Sequence, residues 1–294
     1  MAVGVEQRDQ IVANAIREIS HIATLPEITL KIVELVEDPK STAQDLNKII
    51  SGDPALSARI LKVVNSSFYG LPGQIASINR AIVMLGLNAV KNIAIAASLA
   101  KLFRGGDLTP TFSARDLWAH SSATAVAAKM TADALKLGLS DEAFLAGLIH
   151  DIGMMVEMQY DRNKLIDVFG RVGADSKNIP AADMLQIEQE VFGATHQDFG
   201  SALCEKWKFP RTFGLVTGFH HRPLEAPQGS RTLVCIVHVA DRLAAEAVGG
   251  FRHDLLNVEV AQGVLDELKL TGEKLAELRA NFPEHLKNAG NLLG

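Results

Sequence analysis

Apolar residues recur along the chain at spacings of three and four, the period of helices with one buried face. Leu25-Pro26-Glu27 leads into Ile28, Ile32, Leu35 and Val36, and Asp38-Pro39 ends the run. Ser41 or Thr42 can cap the next helix, which turns Leu46, Ile49 and Ile50 inward. Asp53-Pro54 then sets a capping side chain ahead of a proline at the first helical position, where a missing N–H does no harm. Leu56, Ile60, Leu61 and Val64 share the face that follows. Residues 69–73 interrupt the pattern, Ser77 can cap a helix carrying Ile78, Ile82, Val83 and Leu85, and Gly86 offers a bend or a close approach of two backbones.

Arg104-Gly105-Gly106-Asp107 through Pro110 is the densest run of helix-ending residues. It predicts an N-terminal helical subdomain over 1–106 and a second over 107–294. The second opens with a small-residue helix over 117–137, in which Ala119, Ala123, Ala127 and Ala128 permit close packing. Further helices are predicted at 141–149, 162–172, 180–192, 196–207, 211–220, 230–248 and 258–280, with breaks at Pro210, 222–229 and Gly249-Gly250. The expected fold is an all-α, multi-helix bundle, and no fixed-period repeat is present.

Composition supports this picture and narrows the function. Of 294 residues, 48% are hydrophobic, 21% charged and only 5% aromatic, which is globular and favours helices over half-buried strands. A net charge of -5, from 29 basic and 34 acidic residues, offers phosphate backbones and anionic lipid no overall attraction. Near Gly86 only Arg80 and Lys91 supply positive charge, so nucleic acid is not an expected partner. Cys204 and Cys235 match neither a disulfide framework nor a CxxC zinc site, and they suit a reducing cytoplasm as small core residues. The first nine residues hold no apolar secretory core, and the longest apolar stretch, 93–100, is too short to span a bilayer. A cytoplasmic, soluble protein without a membrane partner is expected. Asn65-Ser66-Ser67 formally matches a glycosylation acceptor and reads better as a turn. There is no Walker loop, GxGxxG or HExxH.

The most unusual local feature is His150-Asp151, at the end of the apolar run from Ala143 to Ile149. Such a helix should deliver both side chains to the interior, where an ionised carboxylate needs a partner. A divalent cation is one; imidazole and carboxylate suit Fe, Mn, Zn or Ni. Alone, the doublet could equally be a helix C-cap and a satisfied core histidine. It is accompanied by His120 near the start of the alanine-rich helix, by Asp241 within an apolar helix, and by His196 and His220-His221 between them.

This ordered series resembles the HD superfamily, whose signature is a histidine, a His-Asp doublet and a late aspartate on separate helices. The N-terminal half sharpens the resemblance: Leu25-Pro26-Glu27, Gly52-Asp53-Pro54-Ala55-Leu56, Asn65-Ser66-Ser67-Phe68-Tyr69-Gly70 and Ile78-Asn79-Arg80-Ala81 are similar to the HDOD family, HD-related output domains of bacterial signalling proteins. Gly147 through Gly153, Glu190-Val191-Phe192-Gly193, Glu205-Lys206-Trp207, Pro210 and His220-His221-Arg222-Pro223 continue it, over roughly residues 20–245.

The resemblance implies an HD-type bundle with a metal centre. His120, His150, Asp151 and Asp241 would form a first site; His196, His220 and His221 would complete a second with Asp151 bridging, and Asp151 would be the catalytic residue of an active enzyme. Two divalent ions are implied, with Fe or Mn ahead of Zn or Ni. One departure matters: Met154 stands where HD phosphodiesterases often carry a lysine near the substrate phosphate, and a thioether brings no charge. The loop after His221 also lacks the Gly-Tyr-Pro element of cyclic-di-GMP-degrading relatives, although Arg222 could serve as a phosphate anchor. The expected function is a regulatory signalling module that binds a partner protein or a nucleotide. The alternatives are a metal-dependent phosphohydrolase on a nucleotide or cyclic nucleotide, and a diiron redox or oxygen sensor. His21, His253 and His285 are expected to be solvated, Glu188 and Glu190 to solvate a helix end, and His238 to be core or surface, with support of the Asp241 face as the lesser reading.

Overall fold

The computed structural model describes residues 4–19, 25–38, 40–103, 107–109, 112–247 and 251–290. His21, Pro39, the side chain of Val36, the predicted boundary at 104–106 and the break at Gly249-Gly250 lie outside the described residues. The first half supplies α1 (Val5–Glu18), α2 (Glu27–Glu37), α3 (Ala43–Ser51), α4 (Pro54–Val64), α5 (Ile78–Leu85) and α6 (Leu87–Leu99).

Local signals account for most of these ends. Between Ser41 and Thr42 the structure selects Thr42, whose hydroxyl accepts from the Asp45 N–H while the Asp45 carboxylate accepts from the Thr42 N–H. Asp53 accepts from the Leu56 N–H at 2.9 Å, with Pro54 opening α4. Ser77 caps α5 by accepting from the Arg80 N–H. Ile78 and Ile82 are buried, whereas Val83, one position beyond the stripe, is 73% exposed. Gly86 takes φ 92°, and nothing lies within 4 Å of the place a Cβ would occupy, so it makes a bend rather than a close approach. Asn65 closes the turn after α4 by donating to the Ile75 carbonyl and accepting from the Ile75 N–H. Lys91 is buried and donates to the Leu35 carbonyl and the Ser41 hydroxyl, so it offers nothing to a polyanion.

The second half begins with a small antiparallel pair, β1 (Asp107–Thr109) and β2 (Phe112–Ser113), the one sheet among the described residues. There follow α7 (Ala114–Ala134), α8 (Ser140–Ile149), α9 (Ile152–Tyr160), α10 (Arg162–Val172), α11 (Met184–Val191), α12 (His196–Lys206) and α13 (Arg211–Phe219). A 3-10 turn at Pro223–Glu225 leads to α14 (Gln228–Glu246), α15 (Gln262–Leu268) and α16 (Gly272–Ala289). The all-α expectation holds.

Several elements depart from the expected layout, the β1–β2 pair and α6 among them. Helix α1 was not anticipated; it buries Val12, Ala15 and Ile16 and packs on α9 and α12. Helix α9 was also missed, because the pattern was read as ending at the His-Asp doublet, yet only Asp151 separates Ile152 from the C-cap of α8. The expected helix over 258–280 is two helices: Lys269 adopts φ 52° and Thr271 then caps α16.

Helix α7 is central, with α8, α14 and α16 packed on it, while α6 packs on α8 and joins the halves through one continuous core. Two glycines set the closest crossings. A Cβ on Gly147 would sit 2.8 Å from the Thr124 carbonyl oxygen of α7, and one on Gly153 would sit 1.8 Å from the His196 carbonyl oxygen of α12. Replacing Gly153 with alanine must therefore push α9 from α12, and Gly153→Ala is expected to lose about 3 kcal/mol or more. Gly170, exposed in α10 with open space at its Cβ position, provides the opposite case. Gly170→Ala should gain about 0.5–1 kcal/mol. Urea midpoints check both, and coincident midpoints for the two variants would contradict this account.

Candidate metal centre

His150 is the C-cap of α8 and Asp151 the residue before α9, so the doublet sits at a junction pinned on one side by Gly147 and on the other by Gly153. The Asp151 side chain caps neither helix, and both its oxygens are buried without a hydrogen-bond donor. Of the doublet, then, His150 does sit at a helix C-cap, whereas the Asp151 side chain serves no cap.

The two oxygens face different groups. Oδ2 stands 3.1 Å from His150 Nε2 and 3.7 Å from His120 Nε2. Asp241 Oδ1, from α14, lies 3.1 Å from His120 Nε2 and 3.7 Å from His150 Nε2. Oδ1 of Asp151 stands 3.2 Å from His220 Nε2 and 3.7 Å from His196 Nε2. His196 Nε2 is in turn 3.4 Å from His220 Nε2 and 3.1 Å from His221 Nε2. All seven residues singled out in the sequence thus converge, from α7, the α8–α9 junction, the start of α12, the end of α13 and α14.

The spacing suits cations. A metal about 2.1 Å from each donor holds neighbouring donors about 3.0–3.5 Å apart. Clustered imidazole nitrogens facing one another need a proton or a cation between them, since lone pairs alone repel. The rings are also turned for ligation from behind: His150 Nδ1 donates to the Gly147 carbonyl, His220 Nδ1 to the Thr217 carbonyl, and His196 Nδ1 to Glu188, leaving each Nε2 inward. His238 buttresses this layer through Nδ1 to the His220 carbonyl at 2.6 Å. It lies behind the site, away from solvent.

Several expectations change. Glu188 does not solvate a helix end; it is fully buried and accepts from both the His196 ring and its backbone N–H. Glu190 does remain outside, paired with Arg171. His253 is buried rather than solvated, because the chain after α14 turns back inward, whereas His285 is exposed as expected. Asp254 was missed altogether: its side chain is buried and Oδ2 is 3.2 Å from His221 Nε2, within the group formed by Asp151, His196, His220 and His221. The available signal was a further His-Asp doublet, His253-Asp254. Arg222 stacks on Phe219 and pairs with Glu225 at the surface. Met154 is wholly buried.

Electrostatics follow the geometry. Burial opposes charge on His196, but Glu188 outweighs it and raises the ring to about 9. Burial likewise opposes charge on His150, and Asp151 with Asp241 overcomes it, holding that ring well above its usual value. The carboxylates of Asp151 and Asp241 stay well below theirs, because the neighbouring histidines outweigh burial. Glu157 of α9 goes the other way: burial, then the adjacent Glu188, pushes its carboxyl well above the usual range.

The fold is thus a helical bundle enclosing a buried His/Asp cluster that could hold a metal ion. The chain belongs to the HDOD domain family, whose profile matches residues 22–223. An HDOD domain protein of unknown function from Geobacter sulfurreducens is 24% identical, with TM-score 0.70 over 96% of this chain and 99% of that one. A protein from Shewanella amazonensis, provisionally named a phosphohydrolase, is 22% identical, with TM-score 0.73 over 97% of this chain and 98% of that one. An uncharacterised protein of Treponema pallidum (strain Nichols) is 26% identical over 239 residues, 80% of this chain and 44% of that relative. The chain therefore spans less than half the length of that relative. No helix among the described residues is long and apolar enough to cross a membrane.

The Glu188–His196 pair makes metal-free protein pH-sensitive in a defined direction. A ring raised from 6.5 to about 9 contributes stability that is full below about pH 6.5 and lost as pH rises through 9. Chelator-stripped protein should show a falling Tm across that window, and Glu188→Gln should flatten the fall. A parent Tm indifferent to pH from 6.5 to 9 would refute the assignment.

Proposed function

We propose that this protein is a bacterial signal-transduction module whose core is a dinuclear divalent-metal centre. The observation that carries the reading is Asp151, fully buried, with one donor-free oxygen turned to each histidine group. A bridging carboxylate between two cations accounts for both oxygens. His120, His150, Asp151 and Asp241 would hold one ion, and His196, His220, His221 and Asp151 the other. The mixed imidazole and carboxylate donors favour Fe or Mn, with Zn or Ni also compatible. Such ions, when bound, supply Lewis acidity and an activated water. The chain's own residues fix donor geometry, hold the ring tautomers through Gly147, Thr217 and Glu188, and exclude solvent.

Regulation is favoured over turnover because the side chains that would recognise a substrate phosphate are wanting. Met154 replaces the lysine with an uncharged, buried thioether, and Arg222 is engaged with Phe219 and Glu225. In a signalling module, the metals would set the conformation presented to a partner protein or nucleotide. The complete donor set supports a second reading, a metal-dependent phosphohydrolase with Asp151 at its catalytic centre, in a cytoplasmic setting.

Metal analysis of protein purified without chelator should find about two equivalents of Fe or Mn, and Asp151→Asn should lower both occupancies. A folded parent that carries and takes up no metal would remove the reading. For the alternative, loaded parent should hydrolyse phosphodiesters well above Asp151→Ala; equal rates leave the signalling role.

A further inference from the structure

After α14 the chain folds back on the metal centre instead of leaving it. Phe251, His253, Asp254 and Leu255 are all buried. Phe251 lies 5.5 Å from the His120 ring and 5.6 Å from Phe112, which stacks on Phe169 at 4.2 Å. His253 meets Phe169 edge-on at 5.3 Å. Farther along, Glu259 is tied to α14, its carbonyl accepting from Arg242 Nε. This segment is thus a packed wedge, and Asp254 is at its inner end.

The Asp254 carboxyl has no protein group to satisfy it. Its side chain is fully buried, and neither oxygen has a hydrogen-bond donor. It shares one buried cluster with the Asp151 carboxylate, where a second ionised carboxylate without a cation is strongly unfavourable. Its nearest neighbours are ligand atoms of Asp151, His196, His220 and His221, all mutually within 4.8 Å.

We infer that Asp254 is a ligand of the second metal position, delivered by residues 251–255, and that it occupies the coordination position a phosphate oxygen would need. The inference rests on the dinuclear reading above and deepens it. Catalytic metal sites keep a position open for water or substrate, whereas sites closed by protein donors hold structure. Phosphate reaches these metals only when the segment withdraws.

The test uses the full chain, stripped of metal and titrated with Mn2+, with free ion followed by electron paramagnetic resonance. Parent should bind two ions, and Asp254→Asn should weaken one of them at least tenfold while leaving the other intact. Asparagine keeps the shape of the side chain, so metal-free Asp254→Asn should melt close to the parent. Inorganic phosphate should perturb the Mn2+ spectrum of loaded Asp254→Ala and leave that of the parent unchanged. Two unaltered affinities in Asp254→Asn, an Asp254→Asn chain that fails to fold, or a phosphate response of equal size in the parent would each overturn the role of Asp254 while the dinuclear reading stands. A parent that binds no Mn2+ would overturn both.

Discussion

The structure turns on one buried carboxylate. Asp151 has no solvent and no hydrogen-bond donor at either oxygen, a condition a folded protein sustains only with positive charge close by. His120 and His150 lie on one side and His196 and His220 on the other, and His150 with His220 outweighs burial and holds the Asp151 carboxyl well below its usual range in the metal-free chain. The surrounding helices are arranged so that each presents one donor toward that residue. Backbone carbonyls and Glu188 then fix the ring faces from behind.

Such convergence demands close helix approach, and the small residues supply it. Gly147 lets the Thr124 carbonyl of α7 come against α8, bringing His120 beside His150 with ring centroids 5.3 Å apart. Gly153 lets α12 lie against α9, placing His196 opposite Asp151. A methyl group at either glycine would separate donors that ligation requires within a few tenths of an ångström. The packing and the chemistry are therefore one constraint, and residues that look like filler in the sequence are positioning residues of the site.

Much of this was legible beforehand. The 3.6-residue period and the capping residues Asp53 and Ser77 marked real helix starts, because those signals act within one turn. The metal-type donors were legible because polar residues inside apolar helical runs need a reason to be there. Glu188 and His253 depart from the expected solvation, and Asp254 attracts no notice in the sequence, because their local sequence is polar and local polarity ordinarily means solvent. Their burial depends on contacts with residues distant in sequence, which local composition does not report. Helix α9 was missed because a single non-helical residue, Asp151, interrupts an otherwise continuous helical path.

By itself, the sequence determined the all-helical class, the HDOD resemblance and the seven candidate donors, since helix periodicity, motif and side-chain chemistry can be read without the fold. Only the tertiary structure decided which oxygen of Asp151 faces which histidines, that Glu188 stands behind His196, and that Asp254 joins the same buried cluster. Those relations join residues up to 121 positions apart, as in His120 and Asp241. They are set by helix crossings and by the aromatic packing of the 251–255 segment, which arise only when distant surfaces exclude water from one another.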